Sequence, residues 1–153
     1  MEYTPLQSIP HYAECAPLVE ALGYVLVDIK VVQSRGNINV NVVIAAKDAA
    51  VHIGVNDCAK VHRVLLPKIE DVLHTDDVYM ELTSPGMERN IKNPAEFALF
   101  KGRELRVWSR EAADWVGGTI AVATEHSVTL LQEGDTERVI PYSDIAKAKF
   151  IHN

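Results

Sequence analysis

In "VLVDIKVV", Val25, Val27, Ile29 and Val31 fall on one side of an extended chain, with Leu26, Asp28 and Lys30 on the other. That two-residue period predicts a strand with one face buried and one partly wet. After the turn "QSRGN", "INVNVVI" alternates again, with Ile38, Val40, Val42 and Ile44 inward and Asn39 and Asn41 outward. The two runs predict a hairpin. A third strand is "VYMEL", with Val78, Met80 and Leu82 on one face. Between them Cys58, Val61, Leu65, Ile69 and Val72 recur at helical spacing, behind a cap position at Gly54 and an acid at Asp57. Pro67 lies inside that pattern, lacks a backbone donor, and predicts a kink or a split. Upstream, "PLVEALGY" (residues 17–24) predicts a short helix with Pro17 first and Gly23 just past the end. Residues from Ser8 would add a turn broken or kinked at Pro17. Helix, strand, strand, helix, strand makes a small α+β sandwich: two helices over one side of a sheet of three or more strands.

The second half has a different rhythm. "RELRVW", "WVGGTIAVA", "SVTLL", "ERVI" and "SDIAKAKF" are five short strand-like runs separated by turn signals. Short, evenly spaced strands with glycine bends predict a small closed all-β barrel, an architecture without open edges. The halves meet at "MELTSPGMERN", where Pro85 stops strand pairing and Gly86 permits a turn. In "NPAEFALF", Asn93 is a cap, Pro94 a first helical residue and Glu96 the third position of a capping box. Phe97 and Phe100 would anchor this turn against one domain. The expected organisation is an N-terminal domain over residues 1–84, a linker with a helical turn over 85–101, and a C-terminal barrel over 102–153.

Net charge is −6 and unevenly spread: residues 1–90 hold 7 Lys/Arg against 12 Asp/Glu, residues 91–153 hold 8 against 9. An acidic surface repels phosphate backbones and speeds encounter with basic proteins. The charge therefore favours a basic protein partner over free nucleic acid. No apolar run approaches bilayer length, so no membrane is expected as a partner. The start, "MEYTPLQSIPHYAEC", has neither a basic n-region nor an apolar h-region, which points to the cytoplasm. Two cysteines in helical patterns, Cys15 and Cys58, fit reduced, buried thiols.

Catalytic chemistry finds no set of residues to carry it. Cys58 and His62 share a helix face, but neither an oxyanion hole nor two further metal ligands accompany them. His11, His52, His74, His126 and His152 are scattered singly, so no metal or cofactor is expected. Ser84 is followed by a proline, which removes a backbone donor where a nucleophile elbow uses one. Arg103, Arg106 and Arg110 with Trp108 could form a basic-aromatic stripe for RNA, although alternation sets Arg103 and Arg110 on opposite faces and Glu104 and Glu111 dilute the charge. A solvated barrel face is favoured over an RNA track. Lys147 and Lys149 share one face of the last strand, a placement that also discourages edge-to-edge aggregation.

Five stretches, "APLVEALGYVLVDIKVV", "VNDCAKVHRVL", "VYMELTSPGMERNI", "FALFKGRELRV" and "VIPYSDIAKAKFI", together resemble the bacterial ribosome maturation factor RimP family over nearly the whole chain. The resemblance implies an α+β domain joined to an SH3- or Sm-like barrel. It implies non-catalytic help in assembling the small ribosomal subunit from its precursor and contact with a basic ribosomal protein near the decoding region; the expected partner is that protein and/or small-subunit rRNA. The chain departs from the family pattern at Asn90, where a proline is usual, and at His62, where a serine is usual. The candidate inter-domain joint and partner site is Ser84, Pro85, Gly86, Glu88 and Arg89, with Arg89 free to bridge domains or reach phosphate. The candidate rRNA or protein contacts are Arg103, Arg106, Tyr142, Lys147 and Lys149. The rival readings are a barrel that only chaperones RNA and a Cys-His hydrolase built on Cys58.

Overall fold

The computed structural model describes residues 1–47, 53–85 and 89–151. Contacts divide the chain into two units, Leu6–Pro85 and Met1–Pro5 together with Gly86–Asn153. The first five residues thus pack with the second unit, as does most of the stretch expected to be a linker.

In the unit Leu6–Pro85 the order is α1 (Tyr12–Ala21), β1 (Tyr24–Ser34), β2 (Asn37–Ala46), α2 (Val55–Leu73) and β3 (Val78–Thr83). The sheet runs β1-β2-β3, antiparallel across the hairpin and parallel between β2 and β3. One core joins Cys15 and Val19 of α1, Ile29 of β1, Val40, Val42 and Ile44 of β2, Val61, Leu65 and Ile69 of α2, and Met80 of β3. β1 departs from strict alternation. A bulge between Leu26 and Asp28 inserts Val27, so Leu26 joins Ile29 in the core. The Tyr12 hydroxyl donates to the Leu26 carbonyl at 2.6 Å, so α1 satisfies the polar group at the irregularity.

Both helices run on through prolines expected to kink or break them, so neither is split. Pro17 lies inside α1 and Pro67 inside α2. Each deprives the carbonyl four residues earlier, on Ala13 and Arg63, of its donor. Those residues and both prolines are exposed, so water can serve the orphan carbonyls while the opposite face keeps its packing. Asp57 caps α2 by accepting from the Gly54 N–H at 2.8 Å, and it also accepts from the Tyr24 hydroxyl. These two donors, Tyr24 first, hold its carboxyl below the ordinary value. Gly23 ends α1 at φ 95°.

The second unit has five antiparallel strands, β4 (Glu104–Ser109), β5 (Asp114–Ala123), β6 (Ser127–Gln132), β7 (Thr136–Pro141) and β8 (Ile145–Phe150), ordered β7-β6-β5-β4-β8. Their inward faces bury Leu105, Val107, Ile120, Val128, Leu130, Ile145 and Phe150. The expected closed barrel is not formed by these ladders: among the described residues none joins β7 to β8. The outer edge of β8 is taken by residues 89–91 instead, through Phe150 N–H to Arg89 O at 3.3 Å and Ile91 N–H to Ala148 O at 2.8 Å. Gly118 lies so close to β6 that a Cβ would fall 2.9 Å from the Leu131 carbonyl oxygen, which is why the "GG" bend tolerates no side chain there.

Candidate functional site

The joint comes first. Thr83 ends β3, Ser84 is exposed and Pro85 half-buried. Gly86 and Glu88 lie outside the described residues. Arg89, the residue expected to bridge domains or reach phosphate, has a carboxylate partner within its own unit. Its Nε donates to Glu96 Oε1 at 3.0 Å, with the two side chains 18% and 6% exposed. Glu96 accordingly serves as the buried partner of Arg89, whereas Asn93 performs the capping, accepting from Ala95 N–H and pairing with the Thr4 backbone through both ends of its amide. Phe97 and Phe100 are buried in the same unit, Phe97 beside Tyr142 and Phe100 edge-on to Phe150.

Two further candidates are internal. Tyr142 is 3% exposed; its hydroxyl donates to Thr124 O at 2.5 Å, and burial pushes its phenol up to about 12. Tyr3 stacks on it, and the Met1 amino group donates to the Tyr142 and Ile145 carbonyls at 2.8 and 3.0 Å. Tyr142 therefore fastens the first residues to the five-stranded unit. Arg103 precedes β4, with its guanidinium 3.8 Å from the Phe150 ring centroid, and burial lowers its pKa. It covers the core as a cation over an aromatic face.

Arg106, Lys147 and Lys149 behave differently. Register pairs Arg106 with Lys149 and Trp108 with Lys147 across β4 and β8, and Trp108 with Trp115 across β4 and β5. All of these side chains stand on the sheet's outer face, since Leu105, Val107 and Ala148 between them point inward. The Arg106 guanidinium lies 4.6 Å from the Trp115 ring centroid and Lys149 Nζ 5.6 Å from it, while Trp108 meets Trp115 edge-on at 5.5 Å. Beside them opens a cleft of about 540 Å³, lined by Lys92, Arg110, Trp115, Lys147 and Lys149 among others, with no Asp or Glu among the described residues of its lining. Arg110 is set by a pinned turn: Asp144 accepts from the Ser109 hydroxyl at 2.5 Å and the Glu111 N–H at 2.8 Å, and Arg110 N–H donates to Asp144 O at 2.9 Å. These donors, Ser109 first, lower the Asp144 pKa.

Trp115, Lys92 and Arg110 were not recognisable as cleft residues from their own neighbourhoods. The available signal was register: once β4, β5 and β8 are aligned, alternation alone puts Trp115 beside Arg106 and Lys149. A second hollow of about 630 Å³ along β5 and β6 carries Glu104 and Glu133 and no base. Burial raises the Cys58 thiol, the direction opposite to an activated nucleophile. Among the described residues no three of His, Cys, Asp and Glu come together in a way that could hold a metal ion. No helix among them is long and apolar enough to cross a membrane.

Residues 14–88 match the family model for the RimP N-terminal domain. The chain is also 28% identical over 132 residues to a ribosome maturation factor RimP from Borrelia hermsii (strain HS1 / DAH), covering 86% of this chain and 87% of that protein.

Proposed function

Because the chain belongs to the RimP family, we propose that it acts in ribosome maturation as a non-catalytic, cytoplasmic factor that assists assembly of the small (30S) subunit. In this reading the α+β unit and the five-stranded unit, an SH3/Sm-like roll in strand order, are two binding modules. The α+β unit meets a basic small-subunit ribosomal protein near the decoding region. The five-stranded unit meets the precursor particle's rRNA. The protein partner is supported by charge: Leu6–Pro85 holds 6 Lys/Arg against 10 Asp/Glu, and Glu70, Asp71, Asp76 and Asp77 lie between the last turn of α2 and the start of β3. Acids at a helix C-terminus gain nothing from the helix dipole, so their presence there suits an external cation better than helix stability. Ser84, Pro85, Gly86 and Glu88 belong to this proposal as the segment between the modules.

The observation that carries the reading is the family membership joined to this charge pattern. The test is a pull-down from lysate with proteins and RNA both identified, repeated after nuclease treatment. Recovery of a basic small-subunit protein that survives nuclease is expected. Recovery of RNA alone would overturn the protein-partner reading in favour of an RNA chaperone.

A further inference from the structure

The unit formed by Met1–Pro5 and Gly86–Asn153 has more acids than bases, 11 against 9, yet five of the nine bases gather at one place. Lys92, Arg110, Lys147 and Lys149 line the cleft, and Arg106 lies over the indole of Trp115 that forms part of its wall. Arg89, by contrast, is neutralised by Glu96 in the same unit. Among the described residues no carboxylate lines the cleft, and the Arg106 Nε is withdrawn from water without a hydrogen bond. Like charges held this close repel one another in water, and an entering polyanion turns that cost into attraction. An indole among cations adds a second preference, for a ligand with flat π-faces, which an acidic peptide lacks. The cleft's volume of about 540 Å³ falls in the range of small-ligand pockets.

We propose that this cleft is a single-stranded RNA site, in which Lys92, Arg110, Lys147 and Lys149 take phosphates and Trp115 stacks on a base. The choice of RNA rests on the assembly reading above; the recognition chemistry is that of any single-stranded polynucleotide. Stacking on Trp115 requires the Arg106 or Lys149 head group to leave one ring face and move to phosphate, which their long, flexible stems allow.

The test is fluorescence anisotropy of the full-length protein with a labelled RNA of about ten nucleotides, within the span that one small domain covers. The wild type binds, with affinity falling as salt rises. Replacing both cleft lysines, Lys147→Gln with Lys149→Gln, flattens the log–log salt slope by about 1.4, at roughly 0.7 per phosphate on a single strand. Trp115→Ala weakens binding by about tenfold at constant salt, and Trp115→Phe restores most of the loss. Should Trp115→Ala fail to fold, the lysine pair still decides. A wild type that does not bind, a lysine variant with an unchanged slope, or displacement of RNA by polyglutamate of equal charge as readily as by unlabelled RNA overturns the proposal. Co-sedimentation with small-subunit precursors, run in parallel, separates the two readings. RNA binding without subunit association keeps the cleft and rejects the assembly role. Subunit association without RNA binding rejects the cleft and keeps the role.

Discussion

In Leu6–Pro85 acids outnumber bases by four and crowd the connection from α2 to β3, whereas in the five-stranded unit they still outnumber bases by two, yet the bases meet around Trp115. Net charge therefore ranks the two units in the same class, while local arrangement gives them opposite preferences. A second contrast lies inside the five-stranded unit. Arg89 and Arg106 are both half-buried arginines, but Arg89 is bonded to a carboxylate and Arg106 lies on an indole with its Nε unpartnered among the described residues. The first holds the fold together; the second is held by the fold and left with charge to offer. A cation's use is decided by which acids the topology brings within reach.

Replacing Glu96 is the strongest way to break that second contrast. Glu96→Ala leaves Arg89 without its partner and should cost about 3 kcal/mol in urea unfolding, the low end for a buried pair because Arg89 is 18% exposed. Lys147→Gln with Lys149→Gln should stay within about 0.5 kcal/mol of wild type in the same assay. Equal losses would mean that the cleft lysines are structural. Next, Gly118→Ala drives a Cβ to 2.9 Å from the Leu131 carbonyl oxygen and should cost about 1–3 kcal/mol, whereas Gly117→Ala, whose Cβ meets the Ile151 methyl at 3.4 Å and the Leu105 carbonyl oxygen at 3.9 Å, should change thermal midpoint little. Cys58→Ala in the other unit should cost about 1 kcal/mol from lost packing and leave partner binding unchanged; loss of a turnover activity in the folded variant would revive the hydrolase reading. The smallest effects concern Asp57 and Asp144, one in each unit, whose pKa values are lowered below 3.8 by their donors. A lowered folded-state pKa adds stability above the unfolded value, and that stability is lost as pH falls through the folded one. Asp57→Asn and Asp144→Asn should each be less stable than wild type at neutral pH, with the gap closing as pH drops below 3.8. Urea midpoints followed down the acid limb check this, and a gap that persists in acid contradicts it.

The elements of both halves could be read from period alone, because β2, β3, α2 and the five late strands each keep one face apolar. Their irregularities could not. The β1 bulge that turns Leu26 inward depends on pairing with Ile44 and Val43 across the hairpin, and Pro17 and Pro67 are tolerated because their helices happen to expose them. The packing of Met1–Pro5 against Tyr142 is a contact between chain ends that no local pattern encodes. For the site, alternation puts Arg106 on one face of β4, and Lys147 and Lys149 on one face of β8, since spacing within a strand fixes a face. The partners of Arg89, Arg103 and Tyr142, namely Glu96, Phe150 and Thr124, are known only once the strands are aligned. The same alignment is needed to bring Trp115 and Lys92 to the residues that alternation names.

The central claim is that one chain offers an acidic surface to a basic protein and a cationic cleft to RNA. The most direct test measures affinity for both partners, a basic small-subunit ribosomal protein and a short single-stranded RNA, in two full-length variants. One neutralises Glu70, Asp71, Asp76 and Asp77 as amides; the other carries Lys147→Gln and Lys149→Gln. The acid-neutralised variant should lose the protein and keep the RNA, and the lysine variant should do the reverse. If both variants lose both partners, or if either leaves its own partner's affinity unchanged, the two units do not divide recognition in this way.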